Sequence, residues 1–382
     1  MSHDRKWITI FVMSTNMSTV KILDLTPVQL KEYLVFLGEP VSAADRILNY
    51  IYRECAVDFK EMTELSTSLR QKLAEQATLS ILEPLEERIS ADAQTRKILF
   101  RLDDKNTIES ALMLFRNHGT GRERRTVCIS SQVGCGIGCR FCATGRQGFV
   151  RNLSSGEIIE QVLFFKRDSR EKTKEPAKGK SDAGPTHVVF MGMGEPLANY
   201  DNVRQAIAML NRPKGMGLGS RQITLSTSGL VPQIRRITGE DLQFQLAVSL
   251  HAANDKLRDR LVPVNKKYPL EQLISACREY TDKTGRNIFI EYALFKEVND
   301  SEKDADELIH LLDGLKCSIN LILSNPIPSS DFQPSTGERA GVFQKQLIDG
   351  GIRTMLRVSR GADIEAGCGQ LRSRWAIGTN SQ

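Results

Sequence analysis

The sequence predicts an α/β protein: a parallel sheet, open or closed into a partial barrel, preceded by a small helical unit. Two patterns carry the prediction. Periodicity is helical up to about residue 77, and short apolar strands alternate with amphipathic helices from residue 126 to residue 357. Strand–helix repetition implies crossover connections, and these favour a parallel sheet. A third observation bounds the class. Of 382 residues, 40% are hydrophobic and 26% charged, which excludes a disordered, collagen-like or membrane-spanning chain.

Residues 1–16 hold a short apolar run, Trp7 to Met13, that is short for a signal h-region and is followed by no convincing cleavage site. The segment reads as peripheral, with Met13 and Met17 as alternative starts. Residues 17–85 read as a helical accessory domain. Thr26-Pro27 opens a helix that Gly38 closes, and Ser42 is expected to cap a second helix through Ile47, Ile51 and Tyr52. Two short helices follow near 57–64 and 67–77. Residues 86–120 form a β-rich connector with strand-like runs at 86–91, 96–102 and 107–115. The main unit spans 121–372, ahead of a tail at 373–382. Its strands are expected at 126–130, 187–191, 222–226, 244–250, 287–294, 318–324 and 352–357. Its helices are expected at 155–167, 201–211, 231–237, 269–283, 302–313 and 339–349. Ser154 and Glu157 form a capping box at the first of these. The run 166–184, KRDSREKTKEPAKGKSDAG, lacks apolar periodicity and reads as a solvated, mobile insertion.

Eight cysteines, at 55, 128, 135, 139, 142, 277, 317 and 368, are too few for a disulfide scaffold, and four fall between 128 and 142. Such clustering points to metal binding or thiol chemistry in a reducing compartment, hence a cytoplasmic protein. Cys135, Cys139 and Cys142 stand in CGIGCRFC, separated by three and two residues, on a loop with Gly134, Gly136 and Gly138. Three thiolates on so pliant a loop can wrap one compact cofactor, such as a four-iron cluster with one iron open. A structural zinc completed by a distant ligand is the alternative, because neither His118 nor His187 has a ligand-like spacing to the three. The formal charge of +6 is local. Residues 116–151 contain seven Arg, no Lys and a single acid, Glu123, so this stretch alone nets +6. It is a candidate contact surface for an anionic partner, with scattered surface arginines as the plainer reading.

CxxxCxxC with an aromatic, Phe141, before the third Cys resembles the signature of the radical S-adenosylmethionine (SAM) superfamily. The flanking motifs narrow the resemblance. TVCISSQVGC (126–135), FCAT (141–144), RNL (151–153), GMGEPL (192–197), LSTSG (225–229), SLH (249–251), VPVN (262–265) and DIEAGCGQL (363–371) resemble, in family order, the RlmN/Cfr family of ribosomal RNA methyltransferases. RGAD (360–363) and Asn325-Pro326 are more similar to the RlmN branch. The resemblance implies a partial (β/α) barrel of the radical SAM type with a small helical N-terminal accessory domain. It implies one [4Fe-4S] cluster on Cys135, Cys139 and Cys142, with SAM as both methyl donor and radical source. The implied reaction places a methyl group on C2 of an adenosine in the peptidyl-transferase region of 23S rRNA, with a tRNA adenosine as a further candidate substrate. Cfr-like methylation of C8 is the alternative, and a non-catalytic RNA-binding protein with zinc or an iron–sulfur centre is a more remote one.

By the same resemblance, Cys368 is the methyl-carrying residue, Cys128 the resolving thiol that closes a transient disulfide with it, and Glu109 a proton acceptor. Taken alone, each of these cysteines reads as a buried core thiol and Glu109 as an outward, solvated carboxylate. Gly194, Glu195, Ser226, Ser249, Leu250, His251 and Asn325 correspond to SAM contacts of the family. All follow predicted strands, where α/β folds place ligands, although a Ser or Asn there is also an ordinary turn former. Gly367 stands where the family usually has Ala. The implied partners are 23S rRNA, tRNA, an electron donor such as flavodoxin or ferredoxin, and a thiol reductant, with no membrane and a monomeric chain. Cys55, Cys277 and Cys317 match no motif and read as packing residues.

Overall fold

The computed structural model describes residues 19–79, 82–116, 123–173, 184–323, 331–358 and 361–364. Asn325, Gly367 and Cys368 lie outside the described residues, as do the segments 1–16 and 373–382.

Strand β1 (Val20–Lys21) leads into helix α1 (Pro27–Phe36). Thr26 caps α1: its Oγ1 accepts from the Gln29 amide at 3.3 Å, and Gln29 Oε1 accepts from the Thr26 amide at 2.9 Å. Ser42 does not cap α2 (Ala43–Asn49). Its backbone is already helical, at φ −63° and ψ −20°, and its side chain makes no capping bond. A π turn, Tyr50–Glu54, extends α2 and ends at Cys55 in the left-handed region. The helix expected over 57–64 shrinks to a 3-10 turn, Phe59–Glu61, because Asp58 and Glu61 take the nearby amide groups with their own carboxylates. Helix α3 (Thr67–Gln76) and strand β2 (Ala77–Thr78), parallel to β1, complete the unit.

Strands β3 (Glu83–Ile89), β4 (Thr95–Arg101), β5 (Thr107–Arg116) and β6 (Glu123–Cys128) form an antiparallel meander. A separate hairpin, β7 (Gln132–Gly134) with β8 (Phe149–Asn152), brackets the short helix α4 (Ala143–Arg146). There follow α5 (Ser155–Thr173), β9 (His187–Phe190), α6 (Tyr200–Asn211), β10 (Ile223–Thr227), α7 (Val231–Thr238), β11 (Gln245–Ser249), α8 (Asp255–Leu261), α9 (Leu270–Thr284), β12 (Ile288–Leu294), α10 (Glu302–Leu312), β13 (Cys317–Leu323), α11 (Gly337–Asp349) and β14 (Thr354–Val358). The meander does not stand apart. One sheet of ten strands runs β14-β13-β12-β11-β10-β9-β6-β5-β4-β3, parallel from β14 to β6 and antiparallel beyond. Past β14, the Asp363 carboxylate accepts from the Ala91 amide in the β3–β4 turn at 2.7 Å, so the two ends of the sheet meet.

The two faces of the parallel strands differ. One carries Val188, Phe190, Leu225, Leu246, Val248, Ile290, Tyr292, Ile319 and Leu321 into the core beneath the helices. The other, following the register, carries Thr224, Ser226, Ser249, Glu291, Asn320 and Arg357. Parallel strands buried on both sides are usually apolar throughout. A polar inner face therefore marks a chamber.

The charged run after 165 departs from its reading as a mobile insertion. Helix α5 continues to Thr173, with Lys166 buried and donating to the Tyr52 carbonyl at 2.9 Å. Arg167 pairs with Glu160, and Arg96 of β4 with Asp168. Lys166, Asp168 and Arg170 all reach other elements, so polarity here serves docking; residues 174–183 lie outside the described set. The capping box at 154–157 forms as expected. No described helix is long and apolar enough to cross a membrane.

Candidate functional site

The cysteine loop leaves β7 at Gly134, whose φ of +75° lies in the left-handed region that glycine adopts most readily. A Cβ there would lie 1.9 Å from the Gly148 carbonyl oxygen, the acceptor for the Cys135 amide at 2.8 Å. Gly138 turns the loop again at φ +73°, and a Cβ on Gly145 would press to 2.9 Å on the Cys139 carbonyl oxygen. The backbone is thus curled as tightly as glycine permits. Ile137, Cys139 and Phe141 pack on Ala252, Leu261, Val262, Ala293 and Phe295, with the Phe141 ring 4.7 Å from His251. Burial pushes the Cys135 thiol up to about 12 and raises Cys139 and Cys142 as well, and the three sit within one another's field. Among the described residues, no three His, Cys, Asp or Glu groups converge on a single metal position. A cube of four irons holds its thiolates further apart than one tetrahedral ion does. Three soft donors on a desolvated, glycine-turned loop suit such a cluster, whose positive charge would offset the cost of three thiolates.

Glu195 follows β9 and is buried. Gly194, at φ +102°, brings it against β7, where Gln132 Oε1 accepts the Glu195 amide at 2.8 Å. Its carboxylate accepts from the Leu197 amide at 3.0 Å and from the amide and hydroxyl of Ser228, both at 2.7 Å. Burial raises its pKa against these lowering bonds. Ser226 and Ser249 oxygens lie 3.4 Å apart on adjacent strands. The Leu250 amide donates to the Glu291 carbonyl at 3.0 Å. His251, at φ +61°, accepts the Ala293 amide on Nδ1 at 3.0 Å, and burial depresses its pKa to about 3, so the ring is neutral.

Sequence reasoning missed Arg258. In LRDRL it reads as one of several solvated charges, yet it is fully buried on α8. Its Nε donates to the Leu250 carbonyl at 3.1 Å, one terminal nitrogen to Asn265 Oδ1 at 2.9 Å, and the other to the carbonyls of Ser228 at 2.7 Å and Ser249 at 3.3 Å. One guanidinium therefore ties together the ends of β10 and β11. The only linear signal was Asn265 in VPVN.

Cys128 ends β6. It faces Ala111 of β5, which faces Lys97 of β4, while Glu109 opposes Leu99. Opposed residues share a face, so Lys97, Glu109 and Cys128 lie together on one side of the sheet. Glu109 is not the solvated carboxylate of the plainer reading: it is buried and takes the Lys97 ammonium at 2.6 Å. Desolvation pushes the Cys128 thiol up to about 11, with the Lys97 and Glu109 charges acting in opposite directions. The Arg-rich stretch is partly spent on structure. Arg151 is held by Asp104 and Glu157, and Arg125 donates to the Gly184 carbonyl at 2.7 Å. Cys55 and Cys277 are buried, and Cys317 packs against the core.

Residues 129–309 match the radical SAM superfamily, and residues 20–79 match the ribosomal RNA large subunit methyltransferase N-terminal domain. The chain is 48% identical over 325 residues to a probable dual-specificity RNA methyltransferase RlmN of Desulforudis audaxviator, covering 85% of this chain and 96% of that one. It is 43% identical over 356 residues to a protein of the same description from Syntrophomonas wolfei, covering 92% and 97%. A crystal structure of a radical SAM methyltransferase from Sphaerobacter thermophilus superposes with a TM-score of 0.85 at 44% identity, over 92% of this chain and 98% of that one.

Proposed function

The chain belongs to the RlmN family of radical SAM RNA methyltransferases, and from that premise we propose that it places a methyl group on C2 of an adenosine in the peptidyl-transferase region of 23S rRNA, with a tRNA adenosine as second substrate. One observation carries the assignment of roles. Cys128 and Glu109 share a face of the sheet, and the Glu109 charge reaches both Cys128 and the cluster-loop thiol of Cys142.

Cys135, Cys139 and Cys142 would hold the [4Fe-4S] cluster, which with SAM supplies the 5′-deoxyadenosyl radical. Everything else falls to the chain. Glu195 is locked by Ser228 and Leu197, and its remaining acceptor capacity meets the SAM amino group. Ser226 and Ser249 present hydroxyls from the strand ends, Leu250 and neutral His251 wall the same side, and Asn325 completes the set. Cys368 carries the methyl group, which gives up one hydrogen atom to the 5′-deoxyadenosyl radical before its carbon bonds to adenine C2; the one electron the adduct loses would return to the cluster. Glu109 accepts the proton that C2 must lose. The Cys128 thiolate then attacks the Cys368 sulfur. The sulfur–carbon bond breaks, its electron pair takes up a proton to complete the methyl group on C2, methylated RNA leaves, and a disulfide between the two cysteines remains. An external thiol reductant restores it each turnover, in the cytoplasm, where flavodoxin or ferredoxin supplies electrons to a monomeric chain.

The test uses reconstituted protein and an rRNA fragment, with product nucleosides separated and weighed against 2- and 8-methyladenosine. The expected product is 2-methyladenosine; 8-methyladenosine alone overturns the C2 assignment, and neither product overturns the reaction. Cys128→Ala should accumulate a covalent protein–RNA adduct that Cys368→Ala does not form. A Cys128→Ala protein without adduct contradicts the resolving role.

A further inference from the structure

Two arginines on the inner face take no part in the reaction just described. Arg124 of β6 lies two and four residues before Thr126 and Cys128, so alternation places it on their face. Its Nε donates to Thr126 Oγ1 at 3.0 Å, and its guanidinium lies 5.7 Å from the centroid of Phe115, its cross-strand partner. Arg357 of β14 opposes Ile322 on the inner face. Its Nε donates to Asn320 Oδ1 at 3.0 Å, and Asn320 in turn donates to the buried Glu291 carboxylate at 2.7 Å. Both arginines are exposed and each is anchored through Nε alone. Among the described residues, neither pairs directly with a carboxylate, and the terminal amino nitrogens of both are left without a hydrogen bond.

The closure of the sheet turns β14 toward the β3–β6 meander, so the two charges lie on one concave inner face. The Asp363–Ala91 bond joins the end beyond β14 to the β3–β4 turn, and the Gln94 carbonyl of that turn accepts the Leu114 amide, beside Phe115 and Arg124. Arg357 is also the charge that, after desolvation, lowers the Arg124 pKa. Like charges held on one inner face repel each other, and an anion between them relieves that repulsion. Planar forks with free terminal N–H groups match phosphate.

We propose that Arg124 and Arg357 form a two-sided clamp for one phosphate group of the RNA strand whose adenine enters the chamber. This rests on the RNA-modifying reading above and adds a recognition site to it. An adenine must leave its stack to reach a buried reactive centre, and a backbone grip beside the chamber holds the splayed nucleotide in place. The Glu291–Asn320–Arg357 chain sets the angle of one jaw, and the Phe115 ring supports the other.

The test measures binding of a fluorescein-labelled rRNA hairpin to the reconstituted holoenzyme by anisotropy across a salt series, with SAM affinity measured in parallel by equilibrium dialysis. Arg124→Gln and Arg357→Gln should each weaken RNA binding about tenfold at low salt, and the double variant should reduce the salt slope by about one. SAM affinity should stay within twofold. Asn320→Ala, which frees Arg357 without removing charge, should weaken RNA binding while leaving the salt slope intact. Unchanged RNA affinity in both single variants overturns the clamp, and loss of SAM affinity instead assigns the arginines to a carboxylate of SAM. Wild-type protein that fails to bind the hairpin overturns the RNA reading itself.

Discussion

Lys97 and Glu109 are each about 97% enclosed and joined at 2.6 Å, which makes the pair informative about both stability and chemistry. Removing one member leaves the other charge buried, a change that costs about 3–5 kcal/mol, whereas replacing both by apolar groups is often close to neutral. Glu109→Gln should therefore lower the melting temperature strongly, and Lys97→Met with Glu109→Leu should recover most of the loss. If Glu109 accepts the C2 proton, the recovered double variant still accumulates unresolved RNA adduct, seen by mass spectrometry. A stable double variant with full methylation would reduce Glu109 to a structural anion. Sequence alone could not separate these roles. Glu109 sits in an ordinary strand pattern, and its burial arises from a three-strand register that joins positions 97, 109 and 128. Arg258 was hidden for a related reason: three of its four acceptors are backbone carbonyls, which no side-chain pattern reports.

At the scale of elements, the sheet strands and the longer helices of the main unit were legible because their apolar faces repeat at fixed periods, and most fall within two or three residues of expectation, whereas the short α8 was not foreseen. The β7–β8 hairpin was not. Its strands are three and four residues long and carry no period, yet they set the loop that bears the three cysteines. The end of α5 was hidden as well, since a helix that docks through charges such as Lys166, Asp168 and Arg170 looks like a linker. The hairpin yields a sharp contrast between neighbouring glycines. Gly134→Ala meets the Gly148 carbonyl at 1.9 Å in a left-handed backbone, so the hairpin must open. Gly136→Ala meets nothing nearer than Phe149 Cβ at 3.6 Å, an ordinary contact. After anaerobic reconstitution, Gly134→Ala should retain well under half the wild-type iron, while Gly136→Ala retains nearly all of it. Equal iron in the two variants would show that the loop holds its metal without the hairpin.

At the scale of the whole molecule, the helical unit and the barrel share one continuous core that runs from Val20 to Leu347. Polar contacts cross the same boundary. Asp24 Oδ1 accepts the Gly156 amide at 2.7 Å at the first turn of α5, where its charge also complements the helix dipole. Gln205 of α6 donates to the Asp24 carbonyl at 2.7 Å, and Asp45 meets Arg212 and Lys214 at 3.3 and 2.9 Å. The surface pairs contribute little; the buried Lys166 bond to the Tyr52 carbonyl weighs more, because either group left unsatisfied costs about 1–3 kcal/mol. A shared core makes the two parts unfold together. In a temperature series of amide hydrogen exchange, α1 and α3 should lose protection at the same temperature as β10 to β12, and Lys166→Met should lower that temperature for both sets alike. If the variant released the helices while the strands stayed protected, the accessory unit would be a separately folding module.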